Sequence, residues 1–478
     1  MKNLKKNLIY QSAYQLLMVI SPLITSPYIA RTLGNEMYGV YSYYYSIAYY
    51  FGIFAILGLA NYGNRTIAKV KAEGKEQLSK TFLQMLIMQI CMLLLVSFVY
   101  FVSVPFWGGE YKSNAVIEWM YILSVGLDIS WFYFGIEEFK TTTQRSFIVK
   151  IGIIACILLF VKNPSDLNKY TIIMAGGMLI SSLILWVQLP KYIVFEKVSV
   201  NDVTQHIKPN LALFVPVVSL GLFHYTDKIM LGAMSTWQEL GYYTNSDKIV
   251  NIPMGLINGL GVVMLPRISA LSVSKESNKI EKYVNTSIIL SLWAGIALCF
   301  GIKAIDTDFI PFFFGKGYMR CAELLEWLSV VIIIKAISNV LRTQYLIPME
   351  KDREFNISVI AAAIVNVIFN YILIPIYGAM GAVIGTLVAE SIVLILYCHF
   401  SKKIIDLKKV VFPGLLFLIA GIIMDIALEF LKNRMSVESL LVRLVIEVCI
   451  GGTIYCAITF LGILLPKRTS TNRKIGRI

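Results

Sequence analysis

Fourteen apolar stretches of membrane-spanning length occupy this chain from Leu8 almost to its C-terminus. The hydrocarbon core of a bilayer offers the backbone no hydrogen-bonding partners, so such stretches are stable there as helices. Only 15% of the residues are charged, whereas a soluble domain carries about 25%. The sequence therefore predicts an all-α integral membrane protein and not a soluble enzyme.

The apolar stretches define the predicted membrane helices. Lys2, Lys5 and Lys6 precede the first one as they would in a signal peptide, but the apolar run is too long and no small-residue cleavage pattern follows. We therefore interpret it as the first of about fourteen membrane helices. The predicted segments are residues 8–30, 40–62, 82–104, 116–136, 147–161, 171–189, 211–232, 249–265, 286–305, 323–341, 356–374, 379–398, 411–430 and 441–465.

The distribution of lysine and arginine predicts the orientation. With a cytoplasmic N-terminus, alternate links and the two tails contain 30 of these residues on the inside and 10 on the outside. Such a bias is the expected signature of cytoplasmic loops, so both termini are predicted to be cytoplasmic. The net charge of +14 is spread over these short loops and not gathered in one polar domain, which argues against nucleic-acid binding.

An internal echo predicts two related halves. Leu33-Gly34 is followed by Gly39 and Tyr41, and Leu231-Gly232 is followed by Gly241 and Tyr243. The second copy begins six helices after the first, so both copies start on the same side, as in a parallel repeat. This pattern predicts an N-lobe at 1–205, a C-lobe at 206–405, and two further helices with a basic tail at 406–478.

Ionisable residues inside the apolar stretches are the candidate functional residues, since a charge at the bilayer centre costs about 2.5–3.5 kcal/mol. Asp227 and Lys228 lie late in the seventh stretch, and Arg31 ends the first. Each has an alternative interpretation as an interfacial residue whose side chain reaches the headgroups.

Three further ionisable residues lie deeper. Lys335 follows an unbroken aliphatic run, Glu390 lies in the twelfth stretch, and Asp128 lies in the fourth. The acids are candidates for carrying a proton or Na⁺, or for neutralising a neighbouring cation. The cysteines and histidines show no metal-ligand spacing, and no phosphate-binding or catalytic motif is present, so we predict neither a metal nor another cofactor.

Several of these residues carry a resemblance to a known family. The stretch Pro27-Tyr28-Ile29-Ala30-Arg31-Thr32-Leu33-Gly34, followed by Tyr38-Gly39-Val40-Tyr41, resembles the opening of bacterial polysaccharide flippases of the Wzx type. Asp227-Lys228-Ile229-Met230-Leu231-Gly232 resembles the seventh helix of that family. The wider group is the multidrug/oligosaccharidyl-lipid/polysaccharide (MOP) exporter superfamily.

The resemblance implies a fold and a cargo. The fold is a V-shaped bundle of two six-helix lobes, like that of the multidrug and toxin extrusion (MATE) transporters. The cargo is an undecaprenyl-diphosphate-linked oligosaccharide, moved by alternating access driven by H⁺ or Na⁺. Carried over by position, Arg31, Lys228 and Lys335 would bind the substrate.

The resemblance also assigns the acids and the last helices. Asp128, Asp227 and Glu390 would take part in ion coupling, and helices thirteen and fourteen would form a groove for the lipid tail, as in lipid II flippases. Lipid II flippases carry arginines in the early cavity helices, but here no charge lies between Val40 and Asn61, which argues against lipid II as cargo.

A multidrug or cation antiporter on the same fold is the alternative function. A cationic drug favours an acid-rich cavity, whereas the candidate residues here include three cations, which favour an anionic cargo. A purely structural membrane protein would leave the charges at membrane depth unexplained. We expect the chain to lie in the bacterial cytoplasmic membrane, in contact with membrane lipids and with a polysaccharide polymerase as a candidate partner.

Overall fold

The computed structural model describes residues 20–194, 197–274, 276–435, 437 and 439–475. In these ranges the chain is helical with short links and no β-strand. The helices form two compact units, Met1–Gly241 and Tyr242–Ile478. This confirms the predicted all-α membrane fold.

The first unit contains ten helices among the described residues, counting the part of the first that is described. They are α1 (20–32), α2 (Gly34–Ile56), α3 (Leu59–Val70), α4 (Lys75–Trp107), α5 (Lys112–Gly126), α6 (Ser130–Gly135), α7 (Phe139–Phe160), α8 (Leu167–Gln188), α9 (Val200–Thr204) and α10 (Ile207–Met234).

The second unit contains the long helices of the C-terminal half. They are α11 (Trp237–Val273), which begins in the first unit, α12 (Ser277–Phe313), α13 (Met319–Leu341), α14 (Asp352–Tyr377), α15 (Ala379–Phe400), α16 (Leu407–Lys432) and α17 (Leu440–Ile475). Gly378 alone joins α14 to α15, and its φ of 57° is a conformation that glycine adopts without strain.

Twelve helical spans among the described residues are long and apolar enough to cross a membrane, and they correspond to twelve of the fourteen predicted segments. The predicted seventh segment corresponds to α10, whose 28 residues extend about 42 Å. The predicted first segment is only partly described, as α1. The count of fourteen therefore stays a prediction.

The two units repeat the same helix pairings. In the first, α4 packs on α5, α5 on α8 and α7 on α8; in the second, α12 packs on α13, α13 on α15 and α14 on α15. These pairs correspond under a shift of six membrane helices, which agrees with the echo in the sequence. The division at residues 205 and 405 stays a prediction, because the compact units meet at Gly241.

The predicted start of the fifth membrane helix was wrong. The sequence interpretation began it at residue 147, whereas α7 begins at Phe139. No glycine or proline interrupts residues 139–151, and the hydroxyls of Thr142 and Ser146 donate to carbonyl oxygens of the preceding turn at 3.0 and 2.8 Å. Arg145, which lies before the predicted segment, and Lys150, which lies within it, are therefore both on the same membrane helix.

Candidate functional site

The fourth membrane span is interrupted beside Asp128. Helix α5 ends at Gly126 and α6 begins at Ser130, although both belong to one span of 24 residues. Irregular backbone at membrane depth is tolerated where it is buried in protein or lines a cavity. In transporters, interrupted helices of this kind surround substrate and ion sites.

Buried side chains satisfy the carbonyl groups freed by this interruption. Gln89 Nε2 donates to Gly126 O at 2.9 Å and to Asp128 O at 3.0 Å. Trp186 Nε1 donates to Leu127 O at 2.8 Å. The Asp128 carboxylate accepts from the backbone N–H of Ser130 at 2.7 Å and so satisfies the first N–H group of α6. The interruption is therefore stabilised by hydrogen bonds from buried side chains on the neighbouring helices.

A polar cavity of about 260 Å³ opens next to the interruption, between α5, α7 and α8. Its polar lining comprises Asp128, Arg145, Lys150 and four serines, Ser124, Ser146, Ser181 and Ser182. Its apolar lining comprises Ile56, Tyr121, Val125, Val149, Ile153, Met174 and Met178. A mixed lining with a few convergent polar groups is typical of small-molecule sites.

Arg145 is the most enclosed charge in this cavity. Its Nη1 atom lies 3.8 Å from Asp128 Oδ1 and donates to Ser181 O at 3.4 Å. Its side chain is only 11% exposed, and its buried Nε–H has no hydrogen-bond acceptor among the described residues. A guanidinium with a free donor in a polar cavity is suited to a phosphate or carboxylate oxygen.

Lys150 lies one and a half turns further along α7, at about half the length of this helix. It lines the same cavity, and among the described residues it makes no ion pair. With one acid, Asp128, and two cations, the cavity carries a net positive charge. It therefore favours an anionic ligand.

Aromatic rings continue from this cavity toward α10. Tyr121 lines the cavity and lies 5.0 Å from Tyr45, ring centroid to centroid. Tyr49 stacks on Tyr225 at 4.0 Å, and Lys228 Nζ lies 5.3 Å from the Tyr225 ring centroid. Tyr45 and Tyr49 also pack against the apolar core that contains Tyr41 and Tyr44 from the same span.

The other sequence candidates of the first unit lie apart from the cavity lining. Asp227 is buried at 4% exposure on α10, one residue from Lys228. Arg31 is exposed at the end of α1. Of the six candidates, only Asp128 lines this cavity.

The structure brings the two candidates of the second unit together. Lys335 Nζ on α13 lies 3.2 Å from Glu390 Oε1 on α15. The two side chains are 19% and 5% exposed. This pair explains how both charges are held at membrane depth, because each neutralises the other.

An apolar cavity of about 290 Å³ lies between α12, α16 and α17. Glu447, which is fully buried, lies in its wall and pairs with Arg443 at 3.3 Å. Arg443 also pairs with Asp308 at 3.0 Å. The cavity is an apolar groove with an ionic network at one side.

Sequence reasoning missed Arg145 and Lys150 as site residues. The signal was present, since residues 139–151 contain no helix breaker and the helix could begin before residue 147. The same reasoning missed the interruption of the fourth span, whose signal is Gly126 followed by Asp128 inside an apolar run. No cluster of three or more metal-ligand side chains occurs in the part of the chain that the structure describes.

The fold of this chain matches those of two known membrane proteins. The fold matches that of the lipid II flippase MurJ in an inward closed conformation, with a TM-score of 0.76, 17% identity, and 96% and 99% of the two chains covered. It also matches an inward-facing multidrug resistance MATE family transporter of the MOP superfamily, with a TM-score of 0.62, 14% identity, and coverage of 83% and 96%. The chain therefore has the same multi-helix membrane fold as these two proteins.

Sequence comparison then identifies the family. Residues 4–272 match the family described as "Polysaccharide biosynthesis protein", and the chain belongs to that family. A relative from Escherichia coli (strain K12), named "Putative O-antigen transporter", is 24% identical over 409 residues, which are 84% of this chain and 97% of the relative. The family assignment agrees with the resemblance seen in the sequence.

Proposed function

We propose that this protein is a flippase that moves undecaprenyl-diphosphate-linked oligosaccharide repeat units across the bacterial cytoplasmic membrane for surface polysaccharide synthesis. The observation that carries the proposal is the net positive cavity at the interrupted fourth span, with Arg145 and Lys150 in its wall. A diphosphate offers several anionic oxygens to such cations. The family membership and the O-antigen transporter relative support the same cargo class.

The apolar cavity between α12, α16 and α17 supports the lipid part of this proposal. Apart from Glu447, its lining is almost entirely apolar. Burial of each methylene group of a lipid contributes about 0.8 kcal/mol. We propose that this groove holds part of the polyprenyl tail while the headgroup occupies polar surroundings.

The remaining sequence candidates keep their proposed roles. Arg31, at the end of α1, Lys228 and Lys335 would bind the anionic headgroup. Asp128, Asp227 and Glu390 would take part in coupling to H⁺ or Na⁺. Asp128 pairs with Arg145, and Glu390 pairs with Lys335. In addition to coupling, each acid would therefore hold its cation in position.

The distribution of lysine and arginine supports an orientation with both termini in the cytoplasm. The cargo would then enter from the cytoplasmic side, where lipid-linked units are assembled, and leave toward a polysaccharide polymerase. In the proposed organisation, residues 1–205 and 206–405 form the two lobes that alternate, and 406–478 add the tail-binding helices.

A binding measurement tests the proposal. Purified protein is mixed with undecaprenyl diphosphate or undecaprenol, and retained lipid is measured by native mass spectrometry. We expect retention of the diphosphate to exceed that of the alcohol, and to fall at least about tenfold in the double variant Arg145→Gln/Lys150→Gln. The matched control is Lys140→Gln, an exposed lysine on the same helix.

Two outcomes contradict the proposal. One is equal retention of the diphosphate and the alcohol, and the other is full retention by the double variant. The MATE-type antiporter is the second candidate, favoured only by the fold match to the multidrug transporter. Efflux of a cationic dye such as ethidium by vesicles containing the protein, without lipid binding, would establish that alternative.

A further inference from the structure

Glu118 is a buried acid that the proposed binding site does not use. It lies on α5 and is 1% exposed. Neither of its carboxyl oxygens has a hydrogen-bond partner among the described residues. An isolated ionised carboxylate in such surroundings is unfavourable, so the neutral form of Glu118 is favoured in the conformation that this structure describes.

The neighbours of Glu118 supply no positive charge. The helices that pack most closely on α5 are α2, α4 and α8, and the titratable groups that they direct toward Glu118 are the phenols of Tyr41, Tyr100 and Tyr170. Tyr121 faces it from α5 itself. No lysine, arginine or histidine of the described residues faces it.

Asn114 adds a second unpartnered group on the same face of α5. It lies four residues before Glu118, which is about one helical turn, and is also 1% exposed. Its Oδ1 accepts from Thr171, while its Nδ2 has no acceptor. Three buried polar atoms without partners therefore lie along one face of this helix.

The same face leads to the polar cavity. Tyr121 and Val125 follow Glu118 at intervals of three and four residues, the spacing that places side chains on one side of a helix. Both line the cavity. Glu118 thus lies about one turn beyond the end of the cavity, on the same face of α5 as the cavity-lining Tyr121.

We propose that Glu118 carries the coupling proton together with the acids proposed above, an inference that rests on the proposed flippase function. With Glu118 neutral, the cavity keeps the net positive charge of Arg145, Lys150 and Asp128 and binds an anionic headgroup. Loss of the proton adds a negative charge at the end of the cavity and weakens headgroup binding. Because such coupling is reciprocal, a proton gradient then drives release of the cargo.

A coupled transport measurement tests this proposal. Vesicles containing the protein and fluorescent undecaprenyl-diphosphate-linked oligosaccharide are given a pH gradient, and translocation is followed with and without a protonophore. We expect the gradient to accelerate the wild type about fivefold or more and to leave the Glu118→Gln variant unaffected. Glu118→Asp keeps a titratable group and should keep the acceleration. The control is Glu110→Gln, which changes an exposed acid that precedes α5.

The outcomes distinguish a failure of the proposed flippase function from a failure of the proposed role of Glu118. No translocation by the wild type under any gradient contradicts the flippase function itself. Translocation by Glu118→Gln that responds to the gradient as the wild type does overturns the role of Glu118 alone.

A spectrum of the wild type keeps the test independent of how the variants fold. The infrared C=O band of a protonated carboxylic acid should be present at about pH 7, where ordinary exposed acids are ionised. It should be weaker in Glu118→Gln than in the wild type, in which the buried Glu447 can also contribute. Absence of any such band from the wild type would also overturn the proposal.

Discussion

Gly39 and Gly241, which the sequence echo aligns with each other, lie in direct backbone contact in the first unit. A Cβ atom on Gly39 would lie 2.0 Å from Trp237 O, and one on Gly241 would lie 2.1 Å from Asn35 O. Asn35 Nδ2 donates to Gln238 O at 2.6 Å beside them. The N-terminal turns of α2 and α11 are thus joined through two positions where only glycine fits.

Alanine at either glycine should break this contact. We expect Gly39→Ala and Gly241→Ala each to destabilise the purified protein by about 1–3 kcal/mol, because the neighbouring atom is backbone and cannot move aside as a side chain can. Thermal unfolding in detergent measures the effect. Gly152→Ala on α7 is the matched control, since nothing lies within 4 Å of its Cβ, and it should change stability by at most about 1 kcal/mol. Unchanged melting temperatures of both variants would show that the close contact between α2 and α11 does not contribute to stability.

The pair of Lys335 and Glu390 should show strong energetic coupling. Replacing either residue alone by alanine leaves an uncompensated charge at membrane depth, so the double variant should be less destabilised than the sum of the single variants, by about 1–3 kcal/mol. The exposed pair of Glu276 and Lys279 on the start of α12 is the reference, with an expected coupling of about 0–0.5 kcal/mol. Additive effects for Lys335 and Glu390 would mean that they do not depend on each other.

Loss of Lys335 or Lys228 should also stop function. Each alanine variant is expected to remain in the membrane at normal amount while surface polysaccharide disappears in a host that relies on this protein for export. Export is measured by staining of the surface glycan, and protein amount is measured by immunoblot of membranes. Full export by both variants would remove these lysines from the proposed pathway.

The polar cavity should be accessible to water although it lies at membrane depth. In a background without native cysteines, Ser181→Cys should react with a charged, water-soluble maleimide, because Ser181 lines the cavity. Leu159→Cys on α7 is the control: Leu159 is 66% exposed, but in the membrane its neighbours are lipid, which excludes the reagent. Reaction at residue 159 with none at residue 181 would contradict the assignment of the cavity as a wet site.

His206 should make the stability of the first unit sensitive to acid. The ring is 6% exposed, with its Nδ1 atom 2.7 Å from the Tyr62 hydroxyl and its Nε2 atom 2.8 Å from Gln84 Oε1. Burial lowers the pKa of His206 from its ordinary value, against a smaller opposing effect of Asp202. Since the unfolded chain takes up the proton at a higher pH than the folded one, stability should fall as the pH drops through about 6.5.

Melting temperatures between about pH 7.5 and about pH 5.5 measure this sensitivity. The slope should be at most about 1.4 kcal/mol per pH unit and should decrease in His206→Gln. An identical pH profile for the wild type and this variant would show that His206 does not control the response.

Hydropathy alone predicted most of the fold. Lipid requires every spanning segment to satisfy its own backbone, so the apolar stretches had to become helices. The boundaries were less accurate where polar residues continue a helix. The three threonines at residues 141–143 and the two cations at residues 145 and 150 resemble a loop by composition. The hydroxyls of Thr142 and Ser146 nevertheless donate to the helix backbone, and the two cations line a cavity.

The site was only partly predictable for the same reason. Asp128 and the pair of Lys335 and Glu390 stand out because each interrupts an apolar run, but their partners depend on packing between helices distant in sequence. Glu118 was overlooked because Trp119, Met120 and Tyr121 follow it in an ordinary amphipathic pattern. Its isolation becomes visible only when the surrounding helices are in place.

Translocation in reconstituted vesicles tests the central claim most directly. Vesicles with and without the protein receive fluorescent undecaprenyl-diphosphate-linked oligosaccharide in both leaflets, and a membrane-impermeant quencher is then added outside. We predict that the wild type brings the inner-leaflet population into contact with the quencher, and that the double variant Arg145→Gln/Lys150→Gln does so at least about tenfold more slowly. Equal quenching of wild-type and protein-free vesicles would contradict the account.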